Sequence, residues 1–452
     1  MEITYHNSAT ILIKDNDTKI LTDPWLISGE YFGAWGIYPP YKFNPKEFDD
    51  VDYIYISHIH PDHCSASTLS KLNKKIPVLI HKFPVKILKN RIERLGFTVI
   101  ELENNKRTEL KNNLNINIIA SDNCNPKICG EVFGCVFKES SGYDTIIDKD
   151  TMAVIDNGRE VIVNTNDCPI EIAEKTAKTI SKQYEHVDFL LVGYIGASSY
   201  PQCYSLSKNE HRIEAEKKMT KRLNGAIKYL QIFNPTYFMP FAGTYTLSGK
   251  HHYLNKLRGE SELDYAVDFF ADNIDQNQNQ CITLNSKESF DLTTGKCTKK
   301  YMRINKNEKA EYIKNILSKT KFSYESQSFP SIDSLEKLLS KSYEQFNNVR
   351  KQLCYQSKTK IILKLNQNKH VVISCNDQGY ETMTCDEIKI IDNFISMELD
   401  PRLLFWLLQG PKKALWTSAE IGSHIQFKRI PNIYEMGLMH CWNFFYSGKY
   451  IN

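Results

Sequence analysis

Val51-Asp52-Tyr53-Ile54-Tyr55-Ile56-Ser57-His58-Ile59-His60-Pro61-Asp62-His63 is the stretch on which the reading of this chain turns. Val51 to Ser57 is a continuous apolar run of strand length. It ends in H-x-H-x-D-H, after which Ala66 to Leu72 has the pattern of a helix. Two histidines at i and i+2 on an extended segment project to the same side. The residues that follow turn an aspartate and a third histidine toward the same point. Neutral imidazole and carboxylate together suit zinc, iron or manganese. A polar loop whose histidines only hydrogen-bond is the alternative. It rarely concentrates four ligand-type side chains within six positions at the end of a strand.

Outward from this segment the chain alternates strands and helices. Ile3–Tyr5, Thr10–Lys14 and Lys19–Thr22 read as short strands, with a turn at Asp15-Asn16-Asp17. Pro77–His81 and Phe97–Leu102 read as strands around a helix at Val85–Leu95. Thr151–Ile155 and Glu160–Asn164 flank Asp156-Asn157-Gly158, a strong hairpin signal because Asn-Gly accepts positive φ. Helices are expected at Ile170–Tyr184 and Glu210–Leu230, and strands at Val187–Tyr194 and Pro235–Phe241. This order predicts layered α/β packing over residues 1–265. The polar stretch Asp272–Gln280 suits a linker or long loop. Beyond it, helices at Glu308–Ser318, Ser331–Gln356 and Pro401–Leu408, a hairpin through Asn366–Lys369 and a strand at Ser423–Lys428 predict a smaller α+β domain over 266–452.

Bulk composition narrows the function classes. A formal charge of +4 over 452 residues, with both signs dispersed, argues against nucleic-acid binding. No apolar run reaches the ~18 residues of a membrane span. The mixed, strand-like start at Met1–Asn7 does not read as a signal peptide, so the twelve cysteines are expected as reduced thiols in the cytoplasm.

His58 to His63 resembles the signature of the metallo-β-lactamase superfamily. That resemblance implies an αββα sandwich holding one or two divalent metals at one edge, with further ligands from later strands. Asp167, in Asn164-Thr165-Asn166-Asp167-Cys168-Pro169, matches the bridging aspartate; capping of the next helix is its plainer role. Asp23, in Leu21-Thr22-Asp23-Pro24, matches a residue that fixes the tautomer of a ligand histidine, and is equally an Asp-Pro turn. The pattern's next histidine is absent, since none lies between His81 and His186. Asp122 is the substitute, with Cys124 as an alternative, and a carboxylate there shifts preference toward iron or manganese. The last ligand is expected from His251 or His252, with His251 preferred.

Asp23-Pro24-Trp25-Leu26, Gly33-Ala34-Trp35-Gly36, Pro240-Phe241-Ala242-Gly243 and Ala419 to Arg429 together are similar to CMP-N-acetylneuraminate hydroxylase and its bacterial relatives. That enzyme group carries a Rieske centre with Cys-x-His ligands, and no Cys-x-His occurs here. Three functions follow. The first is a hydrolase of a small polar, sugar-like or ester/amide metabolite, with Asp62 as the catalytic carboxylate orienting a metal-activated water. The second is an iron oxygenase supplied by a separate reductase. The third is a non-catalytic metal-binding protein. Trp35 and Tyr38 are expected to stack on substrate, and Lys250 to meet an anionic group; packing at the domain edge is the alternative for the aromatics.

Overall fold

The computed structural model describes residues 1–121 and 150–448. Its core is two facing sheets. The first has eight strands in the order β17-β16-β1-β2-β3-β5-β6-β7. They are β1 (Glu2–Asn7), β2 (Thr10–Asp15), β3 (Thr18–Thr22), β5 (Tyr53–Tyr55), β6 (Val78–His81), β7 (Val99–Leu102), β16 (Glu288–Asp291) and β17 (Lys296–Cys297). The short β4 (Trp35–Gly36) pairs with β14 (Thr246–Leu247) outside both large sheets. The second sheet has seven strands, β15-β13-β12-β11-β10-β9-β8. These are β8 (Thr108–Glu109), β9 (Asn115–Ala120), β10 (Thr151–Asp156), β11 (Val161–Asn164), β12 (Phe189–Gly193), β13 (Tyr237–Phe241) and β15 (Gln280–Cys281).

Side-chain alternation explains the layers. Ala153, Ile155, Phe189 and Leu191 point inward and meet Ile3, Ile11, Ile13, Tyr55 and Leu79 of the first sheet. Their neighbours Met152, Val154, Leu190 and Val192 face outward onto α3 (Ile170–Gln183), α4 (Lys208–Phe233) and α5 (Leu263–Asn273). On the other side Ile54, Ile56, Val78 and Ile80 pack against α1 (Ala66–Leu69) and α2 (Ile87–Arg94). Strands buried on both faces are continuous apolar runs, which is why they stand out in the sequence. This is the layered α/β packing expected from the chain's alternation, in the αββα form that the resemblance implies. The stretch after Asp272 returns to it, adding β15 beside β13 and β16 beside β1.

The C-terminal part is a five-stranded sheet, β20-β19-β18-β21-β22. Its strands are β18 (Lys360–Lys364), β19 (Lys369–Ser374), β20 (Tyr380–Thr384), β21 (Phe394–Glu398) and β22 (Gln426–Ile430), covered by helices at Ile332–Gln352 and Pro401–Gln409. One apolar cluster joins this unit to the sandwich. Trp25, Tyr31, Trp35, Tyr245 and Leu247 share it with Phe322, Tyr324, Leu363, Leu404 and Phe427. Among the described residues no helix is long and apolar enough to cross a membrane. The nine described cysteines are free thiols.

Candidate metal centre

The candidate centre lies where β5, β10 and β11 end or begin. Three buried polar residues hold these ends together. The Tyr55 hydroxyl lies 2.8 Å from Thr151 Oγ1, which donates to the Ser57 carbonyl at 2.8 Å. Asn166 Nδ2 donates to the Thr151 carbonyl at 2.9 Å. Asn166 has φ 46°, a left-handed conformation that asparagine tolerates. It turns the chain sharply after β11 and leaves Asp167 facing the histidine segment. Gly193 is required beside this turn, because a Cβ there would lie 2.6 Å from the Asn166 carbonyl oxygen.

Two donor groups result among the described residues. His58, His60 and Asp150 form one, His58, His63 and Asp167 the other; within each, the ligand-type atoms lie within 4.8 Å of one another. Asp167 Oδ1 is 3.3 Å from His63 Nε2, and its Oδ2 is 4.0 Å from His58 Nε2. Asp150 Oδ1 is 3.8 Å from His58 Nε2, and Asp62 Oδ2 is 3.5 Å from His63 Nε2. His60 Nδ1 lies 2.8 Å from His58 Nε2.

Asp23 sits beneath the cluster and is fully buried. Its Oδ2 accepts from His63 Nδ1 at 2.8 Å and from the Ser57 hydroxyl at 2.6 Å. With that proton committed to Asp23, Ser57 Oγ accepts from His58 Nδ1 at 2.9 Å. Both imidazoles therefore turn an Nε2 lone pair toward the cluster, as metal ligation needs. Electrostatics fit a cation. Burial opposes charge on His63, yet Asp167, Asp62 and Asp23 outweigh it and hold its pKa well above the usual value. Burial likewise opposes charge on Asp167, but His63, His58 and His60 hold its carboxyl far below the ordinary range. His58 is shifted down, by burial first and then by His63. A divalent cation among these carboxylates and lone pairs would satisfy the whole set.

The structure thus brings His58, His60, Asp62, His63 and Asp167 together, with Asp23 behind them. Asp122 lies outside the described residues. Asp150, which the sequence reading missed, joins the group. Its signal lay in the hairpin: β10 and β11 pair Ala153 with Asn164, so the segments just before β10 and just after β11, with Asp150 and Asp167, leave the sheet at the same end.

The other candidate site residues lie as follows. His251 belongs to neither donor group; it is buried against Phe322 and His424, with ring centroids 4.9 and 5.2 Å away. His252 Nδ1 donates to the Gly249 carbonyl. Trp35 is 2% exposed and stacked on Tyr245 at 3.6 Å, which leaves no face for a substrate. Tyr38 packs near Tyr312, centroids 5.4 Å apart. Lys250 spends its charge on Asp400 at 3.0 Å and Glu325 at 3.2 Å. These side chains satisfy the junction with the C-terminal part, a demand that local sequence does not display.

Residues 2–144 match the family model described as β-lactamase superfamily domain. A Mycobacterium tuberculosis protein named as a Rieske 2Fe-2S iron-sulfur protein is 26% identical over 54% of this chain and 44% of its own length. The cytidine monophosphate-N-acetylneuraminic acid hydroxylase of Asterias rubens is 27% identical over 58% of this chain and 38% of its own. The chain thus spans less than half the length of these curated relatives. Among solved structures, an isothiocyanate hydrolase from Delia radicum gut bacteria superposes with a TM-score of 0.44 at 11% identity, covering 64% of this chain and 99% of that one. The matched region contains the H-x-H-x-D-H segment and the Asp23 beneath it, so residues 2–144 carry a domain similar to the β-lactamase superfamily domain.

Proposed function

We propose that this chain is a non-haem iron enzyme that hydroxylates a small polar metabolite with dioxygen, using electrons from a separate donor. The observation that carries this reading is the make-up of the two donor groups, each with two imidazoles and one carboxylate. That ratio suits iron, whereas a third imidazole would favour zinc. The hydroxylase named among the relatives supports the same chemistry. When bound, iron(II) supplies open coordination positions and the first electrons for dioxygen chemistry.

The protein's own residues do the rest. Asp23 and Ser57 fix the tautomers of His58 and His63. Asp167 reaches toward His63 with Oδ1 and His58 with Oδ2 and would help hold a cation between them. The Tyr31 hydroxyl donates to Asp62 Oδ1 at 2.6 Å, holding that carboxylate so that Oδ2 faces His63. The balance is one C–H bond, one dioxygen, two electrons and two protons giving one C–OH and one water. The electrons come from an external reductase.

A hydrolase is the second reading, favoured by the lack of any Cys-x-His pair in these 452 residues, because hydrolysis needs no electron supply. There the cation would supply a water acidified toward a pKa of ~7. One experiment separates the two. Metal-free protein is loaded anaerobically with iron(II), then given dioxygen, a chemical reductant and a panel of sugar-like metabolites. Substrate-dependent oxygen uptake, lost in Asp150→Ala, is expected. Protein that isolates with zinc and cleaves ester or lactone substrates without oxygen would overturn the oxygenase reading in favour of the hydrolase.

A further inference from the structure

The loop from Gly29 to Gly36 lies between the metal-site segment and the C-terminal part of the chain. On its inner side Tyr31 holds Asp62, and Glu30 Oε1 accepts from the Ser65 and Ser67 hydroxyls at 2.6 and 2.8 Å. On its outer side the backbone is clasped. The Tyr31 carbonyl accepts from His424 Nε2 at 2.8 Å, and the Phe32 carbonyl accepts from Ser323 N at 2.9 Å. Tyr31 and Phe32 have φ 53° and 60°, so two consecutive aromatic residues occupy the left-handed region. Bulky residues rarely adopt it, and it persists only where partners over-determine it. His424 is such a partner. It is 3% exposed and uses both ring nitrogens, because Nδ1 accepts from the Tyr324 hydroxyl at 3.0 Å. Phe32 and Phe322 pack edge-on against its ring.

We infer that His424 is a positioning residue for the metal centre. It holds the Tyr31 backbone in the conformation that brings the phenol to Asp62, so the C-terminal part completes a site whose described donors lie in the sandwich. The inference rests on the reading of Asp62 as a residue that faces a bound cation. It does not depend on which reaction follows.

The test is cobalt(II) titration of the full-length, metal-free chain, read by visible absorbance. Tyr31→Phe is expected to weaken cobalt binding about 10- to 100-fold, the usual cost of removing a ligand carboxylate's partner, and to shift the absorption band. His424→Leu should shift the band the same way and weaken binding about 2- to 150-fold, the range for one hydrogen-bonded network. Because His424 acts through Tyr31, the double variant should bind no more weakly than Tyr31→Phe alone. His424→Gln, which can still donate to the Tyr31 carbonyl, should recover affinity.

An unchanged band and affinity in His424→Leu, or losses that add in the double variant, would overturn the inference. If His424→Leu does not fold, Tyr324→Phe replaces it. A smaller loss that vanishes in the Tyr31→Phe background then supports the inference, and wild-type affinity overturns it. Cobalt binding that is insensitive to His63→Ala and Asp167→Ala would overturn the site reading and this inference together. The expected cobalt results without oxygen uptake would support the brace and sink only the oxygenase reading.

Discussion

Asp23 controls two imidazoles from one buried position, directly through His63 and through the Ser57 hydroxyl for His58. Asp23→Asn keeps the shape but removes the charge and one of the acceptor oxygens. It is expected to lower zinc affinity about 10- to 100-fold, measured by competition with a chromophoric chelator. Unaltered affinity would mean the tautomers are set elsewhere. The part played by Asp23 was suggested by the resemblance of Leu21-Thr22-Asp23-Pro24 to a family motif, its own neighbours being equally those of an Asp-Pro turn. That of Tyr31 was not, because its usefulness depends on a left-handed backbone imposed by residues almost four hundred positions away.

At the scale of elements, the junction of β11 and β12 shows how strand geometry delivers a ligand. The turn after Asn164 approaches Gly193 so closely that any side chain there would strike the Asn166 carbonyl. Gly193→Ala should therefore destabilise the fold by about 1–3 kcal/mol, the range for overpacking a tight contact. Urea unfolding measures this, and metal affinity should fall in parallel because Asp167 follows the turn. A neutral alanine would show that the turn yields without cost. The strands themselves were legible, since Thr151–Asp156, Phe189–Gly193 and Tyr237–Phe241 are apolar runs ended by turn residues. Asp150 was not, because its position follows from pairing register rather than from its own neighbours.

Over the whole molecule, buried histidines give stability a sign in pH. Burial lowers His6, His424 and His440 to about 4 and His251 to about 3. The unfolded chain binds protons at these sites from about pH 6.5 downward, while the native state stays neutral until about pH 4. Stability contributed by each is therefore present above pH 6.5 and is lost as pH falls toward 4. His63 is shifted the opposite way, so its contribution changes above that window rather than within it. The urea midpoint of metal-free protein should fall from pH 7 to pH 5, with one fully buried group such as His424 contributing about 2 kcal/mol. His424→Gln should flatten the slope; a midpoint that holds or rises on acidification would contradict this.

The sequence by itself determined the layered sandwich, the C-terminal α+β unit and the H-x-H-x-D-H donors. Apolar periodicity and short-range spacing are local properties that survive without a fold. Tertiary structure alone decided that Asp150 joins the donors, that His251, Trp35 and Lys250 serve the junction, and that His424 reaches the Tyr31 backbone. Those assignments depend on strand register and on contacts between distant segments, which arise only when separate apolar surfaces close on one another.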